Sequence, residues 1–158
     1  MENKPEKPRI FIDADVLFVG SASPQQYSAS LVILRMAEIT LIKAITSQQV
    51  ITEVERNLEQ KFPAALVTFR MLVNRCLQVL TDPTPQEVDA LTGLADPKDL
   101  PILAAAVKYN CQYLTTLEYP TGLRTHLAEQ HFQPGTPNLT VLSPGDLVQR
   151  IRYLLSSI

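Results

Sequence analysis

The chain has 158 residues, of which 46% are apolar and 19% charged, and 14 basic against 16 acidic side chains give a formal charge of −2. That size suits one domain, and the apolar share is too high for a disordered chain. The charge balance excludes a broad basic surface gripping duplex DNA, and no apolar run approaches the roughly 20 residues of a membrane span.

The charged, Pro-containing opening Met1–Pro8 reads as a disordered lead-in rather than a signal peptide, leaving one domain over 9–158 and a cytoplasmic location. Arg9–Asp13 is a short apolar run ending in an acid, the pattern of a buried strand. Val16–Ala22 leads through Ser23-Pro24, a helix start signal, into a long helix expected over Gln25–Ala44, and Ile45-Thr46-Ser47 is a short extended connection. A second helix runs from Gln48 to Lys61, stopped by Phe62-Pro63, and a third restarts at Pro63 and reaches about Arg75. Leu77–Leu80 either extends that helix or forms a strand, and Asp82-Pro83-Thr84-Pro85 ends it. Short helices follow over Gln86–Leu94 and Leu100–Tyr109, the second apolar nearly all round. Cys111–Thr116 reads as a strand, Gly122–His131 as a helix, Leu139–Leu142 as a strand and Pro144–Leu155 as a closing amphipathic helix.

Strands separated by helices make a parallel sheet through right-handed crossovers. The expected architecture is a three-layer α/β/α sandwich with a mainly parallel sheet of four to five short strands. Ligands on such folds bind beyond the carboxyl ends of the strands.

Several chemistries lack residues. Cys76 and Cys111 form no Cys-x-x-Cys pair and read as buried, reduced thiols. His126 and His131 are five apart, off a shared helical face, which gives zinc little support. No glycine-rich phosphate loop and no nucleophile elbow occurs.

The acids remain. Asp13 follows the first strand with Asp15 two positions on, Glu53 lies in the second helix, Asp96 and Asp99 head the Ala-rich helix, and Glu118 follows the Cys111–Thr116 strand. Each stands where the chain emerges at one sheet edge. Two carboxylates about 5 Å apart repel by roughly 3 kcal/mol at an effective dielectric near 20, so such a cluster protonates in part or holds a cation. Oxygen-only ligands favour Mg²⁺ or Mn²⁺, which would polarise a phosphoryl oxygen and activate water. Setting aside Asp13, Glu53, Asp96, Asp99 and Glu118 leaves 11 acids against 14 bases, a mildly positive surround that suits a single-stranded polyanion.

Each acid also has a plainer reading. Asp96 and Asp99 can cap the helix they precede, Glu53 can be a solvated helical glutamate, and Asp13 can close a turn. Asp15 reads as a local loop stabiliser. Ser47 and Thr116 can hydrogen-bond to acids and orient them, or serve as caps and strand ends. Arg9, Arg35, Arg56, Lys98 and Arg124 can contact phosphate or be ordinary surface charges.

Ile10-Phe11-Ile12-Asp13-Ala14-Asp15-Val16-Leu17, then Thr46-Ser47 with Glu53-Val54, then Asp96-Pro97-Lys98-Asp99 with Leu103-Ala104-Ala105-Ala106, then Tyr113–Glu118, together resemble a PIN domain in order and spacing over about residues 9–143. The resemblance implies a Mg²⁺/Mn²⁺-dependent endoribonuclease cutting single-stranded RNA. Asp13, Glu53, Asp99 and Glu118 would be the catalytic acids, with Asp13, Asp96, Asp99 and Glu118 on the metal, and Asp15, Ser47 and Thr116 orienting them. It also implies a homodimer and, in some members, an antitoxin protein partner, with no membrane. Two positions depart from the pattern: Asp15 stands where Asn is usual, and Leu117-Glu118 where Gly-Asp is usual. The second departure supports an alternative, a weakly active or inactive RNA-binding or assembly module. Asp13-Ala14-Asp15 also fits a third reading, a HAD-like small-molecule phosphatase with an aspartyl nucleophile, for which Thr116 and Lys98 are poor partners.

Overall fold

Four consecutive residues, Arg9 to Ile12, form the strand β1, and its last three side chains are buried. The structure, a computed structural model, describes residues 6–22, 28–117 and 139–157. After β1 come α1 (Ala14–Ala22), α2 (Ala29–Glu38), β2 (Lys43–Ser47), α3 (Gln48–Lys61), a 3₁₀ turn (Pro63–Ala65), α4 (Leu66–Cys76), β3 (Leu77–Leu80), α5 (Pro85–Asp89), α6 (Leu100–Lys108), β4 (Tyr113–Thr115), β5 (Thr140–Leu142) and α7 (Pro144–Ser156). The expected Gly122–His131 helix and the Ser23-Pro24 start signal lie outside the described residues, as do the first five residues of the lead-in.

The five strands form one sheet in the order β3-β2-β1-β4-β5, every pair parallel. The chain therefore steps outward from β1 to β2 to β3, then crosses back to β4 and β5. Right-handed crossovers put connections that travel in opposite directions on opposite faces. The packing agrees: α1, α2, α3 and α4 contact one another, whereas α6 packs on β1, β2 and β4 and against α5. The closing helix α7 rests on α2, on the first of these faces. Between the layers lies the core, in which Phe11, Ile12, Leu17, Ile33, Leu34, Ile45, Leu103 and Leu114 are at most 1% exposed.

Close packing within the first layer depends on Gly20. A Cβ there would meet Leu34 Cδ1 at 2.7 Å, so α1 and α2 come together over a glycine. The two cysteines sit in the same core, both as free thiols. Burial pushes the Cys111 thiol up to about 11, and burial with the nearby Glu38 carboxylate also raises that of Cys76.

The expected helix over Gln25–Ala44 is corrected. The described helix begins at Ala29, where the Ser28 hydroxyl accepts from the Leu31 amide, and ends at Glu38. Its exit is a Schellman turn: the Leu41 amide bonds the Met36 carbonyl, the Thr40 amide bonds that of Ala37, and Thr40 takes φ 65°. Ala44 to Ser47 are then free to form a buried strand paired on both sides, where a mere connection was expected. Three smaller differences follow. Val16–Ala22 is part of a helix in its own right, Gln86–Leu94 shortens to Pro85–Asp89 with turns beyond, and Leu77–Leu80 resolves as a strand.

Candidate metal centre

From the adjacent strands β1 and β4 the strand order runs on in opposite directions, to β2 and to β5, so the space beyond their carboxyl ends is the switch point of the sheet. Ile12 pairs with Thr115 and Phe11 with Ile45. Carried on to Asp13, that register sets Ser47, Asp13 and Thr116 side by side at the carboxyl edge. The Asp13 amide confirms the alignment by donating to the Thr115 carbonyl at 3.1 Å. On the other flank, the Thr46 hydroxyl ties β2 to the Ile12 carbonyl at 3.0 Å.

Asp13 is also where α1 begins. Its carbonyl accepts from the Leu17 amide, and its Oδ1 accepts from the Ala14 amide at 2.7 Å. The carboxylate thus sits at a helix N-terminus, where the backbone dipole favours negative charge. Its Oδ2 accepts from the Thr116 hydroxyl at 2.9 Å, and the same hydroxyl lies 3.3 Å from Asp15 Oδ2. Asp15 Oδ2 further accepts from the Leu117 amide at 3.1 Å. One hydroxyl proton therefore serves two carboxylates, and Asp13 with Thr116 is buried. Of the residues expected to orient the acids, Thr116 hydrogen-bonds to Asp13, while Asp15 is itself an acceptor from Thr116 and Leu117. Ser47 is buried at the start of α3 and makes no side-chain cap bond.

The other acids divide. Glu53 is exposed on α3, opposite its buried face of Val50, Val54 and Leu58, and lines a cleft of about 210 Å³ with Asp15 and residues of α1. Asp99 is the N-cap residue of α6, and its carbonyl accepts from the Leu103 amide. Its side chain is buried and makes no cap hydrogen bond to α6. Because α6 ends where β4 begins, it runs back across the sheet and starts at the carboxyl edge. Asp96 is exposed, and its carbonyl accepts from the Asp99 and Leu100 amides. Glu118 lies outside the described residues, next in sequence after Leu117.

Among the described residues no three His, Cys, Asp or Glu side chains converge closely enough to hold an ion. The donor set still fits Mg²⁺ or Mn²⁺. These cations keep several waters and need only one or two carboxylates, and the donors described at this edge, Asp13, Asp15 and Thr116, are all oxygens.

Sequence reasoning missed Asp82. The sequence places it in the stop after Leu77–Leu80, but its Oδ1 accepts from the Gln49 amide at 2.8 Å and anchors the N-terminus of α3. A Pro-rich turn signal masks such a cap. Two of the basic candidates have partners of their own. Arg9 opens β1 at the opposite sheet edge, where its guanidinium grips the Tyr109 carbonyl at 3.0 and 2.8 Å, and Arg35 pairs with Glu38 at 2.8 Å. Arg124 lies outside the described residues.

No helix among the described residues is long and apolar enough to cross a membrane. No curated protein matches the chain. Among solved structures, the chain resembles PAE2754 from Pyrobaculum aerophilum with a TM-score of 0.62 and 17% identity, over 92% of this chain and 96% of that one, which speaks to the fold. The family profile described as the PIN domain matches residues 9–119. With Asp13, Glu53, Asp96, Asp99 and Glu118 all inside that match, the chain belongs to the PIN domain family, whose members are generally nucleases.

Proposed function

We propose that this protein is a Mg²⁺- or Mn²⁺-dependent endoribonuclease that hydrolyses phosphodiester bonds of single-stranded RNA. The observation that carries this reading is the hydrogen-bonded set Asp13–Thr116–Asp15 at the switch point. A divalent ion bound there supplies a polarised phosphoryl oxygen and a more acidic water.

The remaining tasks fall to side chains. Asp13, with Asp99, Asp96 and Glu118, holds the ion. Thr116 fixes the Asp13 carboxylate, and Glu53 completes the acid set from α3. No protein nucleophile is required. The same reading carries single-stranded RNA as substrate, a second copy of the chain and an antitoxin protein as partners, and a cytoplasmic setting. Leu117-Glu118 in place of Gly-Asp supports a second reading, a weakly active RNA-binding module. Membership of the PIN family leaves the aspartyl-phosphatase alternative without support.

The test is cleavage of a labelled single-stranded RNA with Mn²⁺ or Mg²⁺, comparing wild type, Asp13→Asn and an EDTA control. Cleavage by wild type, lost in both controls, is the expected result. Folded, metal-loaded wild type that leaves the RNA intact would sink the nuclease and favour the binding module, with Glu118→Asp as the first variant to restore cutting.

A further inference from the structure

Glu53, Asn57 and Lys61 occur at four-residue spacing on α3 and all line the cleft against α1, so they form one row along the helix. At 1.5 Å per residue the row is about 12 Å long. It starts with a carboxylate beside Asp15 and ends with an ammonium. At that far end the Lys61 Nζ lies 5.8 Å from the centroid of the Phe18 ring. Phe62, 53% exposed, meets Phe18 edge-on with ring centroids 6.3 Å apart. Lys61 takes part in none of the three ion pairs among the described residues.

We propose that the α1–α3 cleft is a nucleotide subsite, in which the Phe18–Phe62 pair stacks a base of a single-stranded RNA and Lys61 takes its phosphate. This rests on the reading of the acid edge as the cleavage site. Three properties favour a nucleotide over an apolar peptide. An exposed aromatic ring offers a stacking face that tolerates any base. The cleft grades from two carboxylates to one cation, which places a phosphate at the Lys61 end and leaves the other end to a metal-bound phosphate. Asn57, midway, carries both a donor and an acceptor for a base edge or a ribose hydroxyl. An apolar peptide would instead meet four charged or polar side chains, Asp15, Glu53, Asn57 and Lys61.

The test separates binding from cutting. Binding of a fluorescent eight-nucleotide RNA is measured by anisotropy in EDTA for wild type, Phe62→Ala, Phe62→Trp and Lys61→Ala, each checked for folding by circular dichroism. Phe62→Ala and Lys61→Ala are expected to weaken binding about ten-fold, and Phe62→Trp to retain it. Lys61→Ala should also reduce the slope of log K against log salt by about 0.7, the share of one phosphate on a single strand. The Phe62→Ala loss should vanish on an abasic RNA of the same length. Unchanged binding in both alanine variants, an equal loss on abasic and intact RNA, or no RNA binding by wild type would each overturn the subsite. So would unchanged RNA binding with a Phe62-dependent change in oligomeric state, which would assign the surface to protein. Cleavage with Mn²⁺ is scored separately. Phe62-dependent binding without cutting keeps the subsite and removes the nuclease, while cutting by wild type and both alanine variants alike does the reverse.

Discussion

The two edges of the sheet use charge in opposite ways. At the amino edge, Arg9 spends its guanidinium on the Tyr109 carbonyl, and its backbone bonds Gln112 in both directions. The charge there closes the protein's own backbone. At the carboxyl edge, Asp13 and Asp15 share one threonine hydroxyl, and Glu53 faces a cleft. Parallel strands produce this division, because every strand begins at one edge and ends at the other. A residue's place in its strand therefore separates an arginine that closes the backbone from an acid at the switch point.

Substitutions can break that contrast. The largest effect is expected from Asp13→Asn, which should lower RNA cleavage by at least about 100-fold, as losing a charge-stabilising group at a reaction centre does, with the thermal midpoint little changed. The amino edge should respond in stability alone. In the unfolded chain Cys111 titrates near its ordinary value of 9.0, but in the folded chain only at about 11. Across that window the unfolded state releases a proton that the folded state keeps. Stability should thus fall by about 2–3 kcal/mol as pH rises from 9 to 11, and denaturant titrations of Cys111→Ala should lack that slope.

Arg9→Ala leaves the Tyr109 carbonyl without its charged donor and should cost about 2 kcal/mol in chemical denaturation while kcat is retained. A stability-neutral Arg9→Ala, or one that abolishes cleavage, would erase the distinction between the edges. At the other edge, Thr116→Val keeps the shape and removes the shared proton. Metal affinity and cleavage should drop about ten-fold, read by titrating Mn²⁺ against rate. The smallest expected change is a gain: Thr40→Gly relieves a β-branched residue from φ 65° and should stabilise by up to about 1 kcal/mol, read in the denaturation midpoint.

Thr40 also explains what the sequence hid. The same Schellman exit closes α6, where Asn110 takes φ 54° and the Cys111 amide bonds the Ala106 carbonyl. Asn is a familiar occupant of that conformation, and the α6 end is legible. Thr is not, so the periodic apolar pattern runs on through Ala44 and conceals β2. Helix α3 is legible from end to end because Phe62-Pro63 stops it. Within the site, Asp13 announces itself as an acid closing an apolar strand. The role of Asp99 is undecided in sequence, since a cap and a ligand look alike, and its burial at the head of α6 appears only in three dimensions. Asp82 and the Thr116 bridge are contacts between segments 33 and 103 residues apart, which no local pattern encodes.

The buried cysteines make the chain convenient to label. At neutral pH a thiol titrating near 11 offers almost no thiolate, and both native sulfurs are shielded by the core. A cysteine introduced at the exposed position of Lys61 would be the reactive one, so a maleimide dye would mark the α1–α3 cleft without first removing Cys76 or Cys111.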